Sequence, residues 1–270
     1  VPKSPRPAAA HADGDRLKLH RHEVRADGRA YEMITLRPGV RARLSTNRYH
    51  DTWHILSDPH GARLLARLLW GLSYQRRPGT LVVIGPPHLT RNPFDAEPAD
   101  PIALVPAQLT TLTRDAARAL RRRVADRRHR PHGSVKWHTW GLEAEVARQE
   151  AVPWQWRRSL NRCGAAVERV GGMIVVRAAP DLLREWALDA AFLPRNLNRG
   201  TSNCDYHPQE VLTHYPDGEV QIFTDFRRRV SAASIARDEV LASLPDPPPP
   251  LDLNPLIWRR GTEVRARRGA

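Results

Sequence analysis

Alternation sets the first segment. In RLKLHRHEVRADGRAYEMITL (residues 16–36) apolar and polar side chains roughly take turns, the period of a strand with one buried face. Asp27-Gly28 supplies a two-residue turn, so a β-hairpin is predicted. A further strand is expected over 40–46, with Val40, Ala42 and Leu44 on one face. The period then changes to 3.6 residues. Leu65, Leu68, Leu69 and Leu72 form one helical stripe. Asp58 stands where a carboxylate can accept from the free N–H groups of a first turn, and Pro59 fits the first helical position. Arg76 and Arg77 are expected in the last turn, and Pro78-Gly79 stop the helix. Leu81 to Ile84 run without alternation, as a strand covered on both faces would.

A second helix is predicted over 109–128. Leu109, Leu112, Ala116, Ala119, Leu120 and Val124 share one face, and Arg114, Arg118, Arg121, Arg122 and Arg128 fall on the other. Residues 134–142 read as a strand. A third helix is expected from Pro153, with Trp156, Leu160, Cys163, Val167 and Val170 as its apolar seam and Gly171-Gly172 as its end. Residues 173–178 form another buried-type strand, and Pro180 opens a helix with Leu182, Leu183, Trp186 and Ala190 inward. VLTHYPDGEVQIF gives a second hairpin at 211–224, and residues 231–244 read as a helix. The expectation is an α/β fold: a mixed sheet with parallel central strands, helices on both faces, and antiparallel hairpins near the N-terminus and at 211–224. Three parts are expected: a disordered tail at 1–15, one α/β domain at 16–244, and a Pro-rich linker with a basic tail at 245–270.

Charge changes this picture more than size does. The chain has 270 residues and a formal net charge of +14. Lys3, Lys18 and Lys136 are the only lysines, so arginine carries the excess, a skew that the codon bias of a GC-rich bacterial genome would produce. Its distribution is uneven. Residues 1–90 carry 15 basic and 7 acidic side chains, residues 91–180 carry 16 and 9, and residues 181–270 carry 12 and 13. A positive body with a neutral last third fits a one-sided anionic partner better than uniform bias does. No run of apolar residues is long enough for a membrane span. The opening VPKSPRPAAAHADGD has no apolar core of a secretory signal, and Val1 marks a fragment or a literally translated start codon. Two cysteines make no disulfide framework, so a reducing, cytoplasmic location is expected.

Candidate chemistry gathers in four places. The arginine face of the second helix, with Arg91, offers an anion or nucleic-acid surface, because each guanidinium can neutralise a phosphate. The long loop after Ile84 brings His88, Arg91, Asn92 and Asp95 near a strand end, where a proton-transferring His88 and Asp95 would sit. It is no phosphate-binding glycine loop, since Pro86 and Pro87 remove backbone donors. Cys204 with His207 has the form of a thiol beside its base. His50 and His54 stand four apart, as metal ligands do on a helix, but the cap at Asp58 places them before the helix begins. No cofactor and no metal is therefore expected. Three readings follow: a binding protein whose arginine surface meets nucleic acid or an acidic protein, a small-molecule or nucleotide-directed enzyme at the loop after Ile84, and a scaffold in a larger assembly.

Overall fold

The computed structural model describes residues 16–49, 51–126, 128–150, 165–197, 204–208 and 219–269. The expected tail at 1–15 lies outside these residues, as do His50, Trp156, Leu160, Cys163 and the segment 211–218. The first hairpin forms as its alternation dictates. β1 (Arg16–Ala26) pairs antiparallel with β2 (Arg29–Thr35), and Asp27 and Gly28 both take positive φ (50° and 68°) in the turn. That conformation matches the twist of the flanking strands.

β3 (Leu44–Tyr49) starts four residues later than the alternation predicts and pairs with β4 (Thr52–Ser57). Helix α1 (Pro59–Ser73) begins where the caps place it, with the Asp58 carboxylate accepting from the Gly61 amide at 2.9 Å. It ends at Ser73, so Arg76 and Arg77 lie past its last turn. Leu65, Leu68, Leu69 and Leu72 are all buried. Burial of each stabilises the fold by about 1.5–3 kcal/mol, against about 1 kcal/mol for the cap, so packing holds α1 in place.

β5 (Thr80–Ile84) is buried along its whole length. Leu81 and Val83 face α2 (Arg114–Ala125), while Val82 and Ile84 face α1 and α4 (Pro180–Leu197). The stretch after it was expected to be loop up to residue 108. It contains another strand, β6 (Ile102–Pro106), buried throughout. Pro101 and Pro106 conceal it in the sequence, yet both stand at strand limits, where a missing N–H is tolerated. β7 (Gly133–His138) joins the outer edge of β1, and α3 (Leu142–Glu150) follows it.

The expected helical seam is corrected at its end. Residues 166–170 form β8 (Ala166–Val170), and Gly171-Gly172 is the two-residue turn to β9 (Met173–Ala178). Val167 and Val170 pack on opposite sides of the sheet, as strand residues three apart must.

The main sheet runs β7-β1-β2-β5-β6-β9-β8. β2 and β5 are parallel, as are β6 and β9, and the β5–β6 pair between them is antiparallel. The mixed α/β sheet with helices on both faces is therefore present. A smaller sheet, β10-β11-β4-β3, closes one end. In it β10 (Cys204–Pro208) pairs antiparallel with β11 (Glu219–Phe223), so the late hairpin takes its first strand from 204–208. α5 (Phe226–Ser243) and α6 (Pro250–Gly269) pack together through Ala232, Ala236, Leu253, Ile257 and Val264. The stretch expected as a basic tail is thus largely helix.

Candidate functional site

The arginines of α2 are brought together. Thr113 caps the helix through its hydroxyl, which accepts from the Ala116 amide at 3.1 Å. Ala116, Ala117 and Leu120 are buried against the sheet, which turns the opposite face outward. There Arg114, Arg118, Arg121, Arg122 and Ala125 line an open groove of about 790 Å³, with Arg169, Gly171 and Gly172 on its other side.

The glycine turn belongs to this groove for a steric reason. A Cβ on Gly171 would lie 2.8 Å from the Arg114 carbonyl and 2.9 Å from the Arg118 amide. One on Gly172 would lie 2.6 Å from Arg121 Nη1. Only a bare backbone lets the β8–β9 turn come this close to the helix, and positive φ at both glycines (58° and 80°) suits it.

Charge in the groove is only partly balanced. Arg118 pairs with Asp115 at 2.9 Å, an exposed contact of small energetic value. Arg169 holds Asp100 with two bonds, at 2.6 and 3.3 Å, and that contact keeps its guanidinium more firmly protonated than usual. Among the described residues, no carboxylate pairs with Arg114, Arg121 or Arg122. Arg128 and Arg91 are exposed but lie outside the groove's lining.

The other candidates lie elsewhere in the fold. The side chain of Asn92 donates to Asp95 Oδ1 at 2.6 Å and accepts from the Phe94 amide at 2.7 Å. Asp95 Oδ1 also accepts from the Glu97 amide at 2.9 Å. Both residues are buried, and together they fold the loop upon itself. Gly85 is set by α2, because a Cβ there would meet both Val124 methyls within 2.9 Å. Cys204 is half-buried beside Leu56, Phe223 and Phe226. The His207 side chain lies outside the described residues. His54 sits in strand β4 with its Nε2 2.8 Å from the Thr52 hydroxyl, so a helical pair of metal ligands does not form.

His88 is buried, at 3% exposure, and neither ring nitrogen makes a well-formed hydrogen bond. Burial, then the Arg43 guanidinium, hold its pKa down to about 4, and the Val40 carbonyl offsets only part of this. The unfolded chain binds that proton near pH 6.5, so it takes up more protons than the fold between those values. The neutral ring's contribution is complete above pH 6.5 and is lost as pH falls towards 4. The slope is about 1.4 kcal/mol per pH unit. Melts between about pH 7 and about pH 5 should show wild type losing about 2 kcal/mol more than His88→Leu. Equal losses would mean that the ring protonates in the fold without cost.

One further cluster lies outside these candidates. His22 on β1 meets His129 and His132 from the connection between α2 and β7, with ring centroids of His22 and His129 5.1 Å apart. The pairs His20-x-His22 and His129-x-x-His132 were the available signal, and no spacing rule joins them across more than a hundred residues. No helix among the described residues is long and apolar enough to cross a membrane. No family model matches the chain, and no curated protein or solved structure is detectably similar to it.

Proposed function

We propose that this protein binds nucleic acid, gripping the phosphate backbone in the groove between α2 and the β8–β9 turn. The observation that carries the reading is the set Arg114, Arg121 and Arg122, exposed on one helix face and without carboxylate partners among the described residues. Three guanidiniums left unneutralised side by side favour a polyanion, since each phosphate they meet releases condensed counterions. Arg118 adds a fourth, because its exposed pair with Asp115 is easily exchanged.

Among the described residues, no aromatic side chain lines the groove, so backbone contact rather than base stacking is expected. Trp137 is buried, and half-buried Trp140 packs edge-on against His138 at a ring distance of 4.6 Å. Binding should therefore be largely independent of sequence. A cytoplasmic location, where such a partner and a two-cysteine chain are both at home, goes with this proposal.

The test is a fluorescence titration with short single- and double-stranded oligonucleotides at about 50 and about 200 mM salt. Four phosphate contacts predict a slope of log affinity on log salt near −4, and so roughly a hundredfold loss over that range. An affinity that does not move with salt, or no binding at the lower salt, would sink the proposal.

A further inference from the structure

We propose that His22, His129 and His132 form a binding site for a divalent transition-metal ion of the zinc class, held by three imidazoles with its last position open. This site is separate from the arginine groove and does not depend on what the groove binds. One potential ligand atom from each ring lies within 4.8 Å of the others.

Two of these rings carry a buried nitrogen without a hydrogen-bond partner. His22 is buried, and its Nε2 shares a 2.9 Å hydrogen bond with the Thr35 hydroxyl, while its Nδ1 is buried without a partner. With the proton on Nε2, Thr35 orients the ring and Nδ1 presents a lone pair, the arrangement that outer partners impose on metal-ligating histidines. His129 Nε2 is likewise buried and unpartnered. Two buried ring nitrogens without partners on neighbouring histidines are costly to leave unsatisfied, and a shared ion satisfies both at once.

The third ligand is adjustable. His132 is exposed, and its Nδ1 accepts from the Glu23 amide at 3.2 Å. On binding it exchanges this long contact for the ion, and the exposed amide turns to water. Nitrogens about 2.0–2.1 Å from a tetrahedral ion stand about 3.4 Å apart, so from separations of up to 4.8 Å the cluster has to close by at most about 1.4 Å. That movement falls to the His129 and His132 side chains, since His22 is fixed in a paired strand and the His132 amide donates to the Arg21 carbonyl at 2.9 Å.

The surrounding charges divide. Asp126 favours a dication, and Arg123 opposes it while favouring an anion or hydroxide at the open position. Glu23, Arg123 and Asp126 also line a cleft of about 410 Å³, together with Arg25 and Arg122. Imidazole is a borderline ligand that suits Zn²⁺, Cu²⁺ and Ni²⁺, and three protein ligands with an open place is the zinc pattern that admits a further ligand.

The experiment uses the full chain without a polyhistidine tag, stripped with a chelator and titrated calorimetrically with Zn²⁺. A parallel titration with Co²⁺ reads tetrahedral coordination from its visible bands. Twelve histidines make stray binding a real control, so His60→Ala is run beside the site variants. The expected result is about one equivalent bound at micromolar affinity or tighter, weakened about tenfold or more by His129→Ala and by His132→Ala and unchanged by His60→Ala. Zn²⁺ should raise the Tm of wild type and not of these two variants. His22 is buried and its replacement can unfold the chain, so the two loop histidines decide the matter. Binding no tighter than about millimolar, or binding that survives both loop substitutions, overturns the proposal.

Discussion

Changing Arg114, Arg121 and Arg122 together to glutamate is expected to lower affinity for a short oligonucleotide by about a thousandfold at about 50 mM salt. The size follows from counterion release. Each phosphate contact adds about 0.9 to the salt exponent, which at that salt against a 1 M reference is roughly tenfold per contact. Single reversals should each cost about tenfold and reduce the salt slope by about one, and they should do so for every sequence tried. The fold should not suffer. All three side chains are exposed, and none pairs with a described carboxylate that would be left stranded. Thermal stability should therefore stay within about 0.5 kcal/mol of wild type. Arg91→Glu and Arg128→Glu are the controls, since both are exposed and outside the groove. A triple variant that binds like wild type would place the contact elsewhere. Equal losses from the control reversals would mean that total charge, not this groove, governs binding.

The groove was half legible in the sequence. The helical period put Arg114, Arg118, Arg121 and Arg122 on one face because Ala116, Leu120 and Val124 demanded the other, although the buried residue beside Ala116 is Ala117 rather than the expected Ala119. Its second wall was not legible. Gly171-Gly172 reads equally well as a helix stop or as a hairpin turn, since both use glycine's freedom at positive φ. What decides is whether Val167 and Val170 share a face, and only the tertiary partners of each settle that. Arg169 enters the groove for the same reason, carried there by a strand whose pairing is not written in its own residues.

The histidine cluster is a stronger case of the same limit. β7 crosses to the far edge of the sheet to pair with β1, so the preceding connection is laid over His22. Hydrophobic periodicity identifies strands but leaves their order open, and this site exists only through that order. By contrast, Asp58, Pro59 and the leucine stripe specify α1 within a few residues of one another, and that helix start is where expected. In the loop after Ile84, Asn92 and Asp95 hydrogen-bond to each other and to the loop's own backbone, a pairing that their spacing alone does not reveal.

Gly71→Ala tests how that sheet edge is held. Alanine is the better helix former by about 1 kcal/mol, so on propensity alone the change stabilises α1. The packing argues the other way. A Cβ at this position would lie 2.1 Å from Trp137 Nε1 and 2.6 Å from its Cδ1. Trp137 is 1% exposed and has little room to retreat, and its Nε1 donates to the Arg67 and Leu68 carbonyls one turn earlier in α1, at 3.2 and 3.3 Å. Overpacking of about 1–3 kcal/mol, with loss of that hydrogen bond at about 1 kcal/mol and the penalty of a stranded indole N–H, outweighs the gain in propensity. The net expectation is a loss of about 3 kcal/mol, or roughly 10 °C in Tm for a chain of this size. Combining Gly71→Ala with Trp137→Phe should cost less than the two single changes summed, because the smaller ring vacates the space that the methyl needs. A raised Tm for Gly71→Ala alone would mean that the indole does not lie against α1. Since Trp137 fixes β7, and β7 leads directly out of the segment bearing His129 and His132, the same variant should also weaken Zn²⁺ binding without touching a ligand.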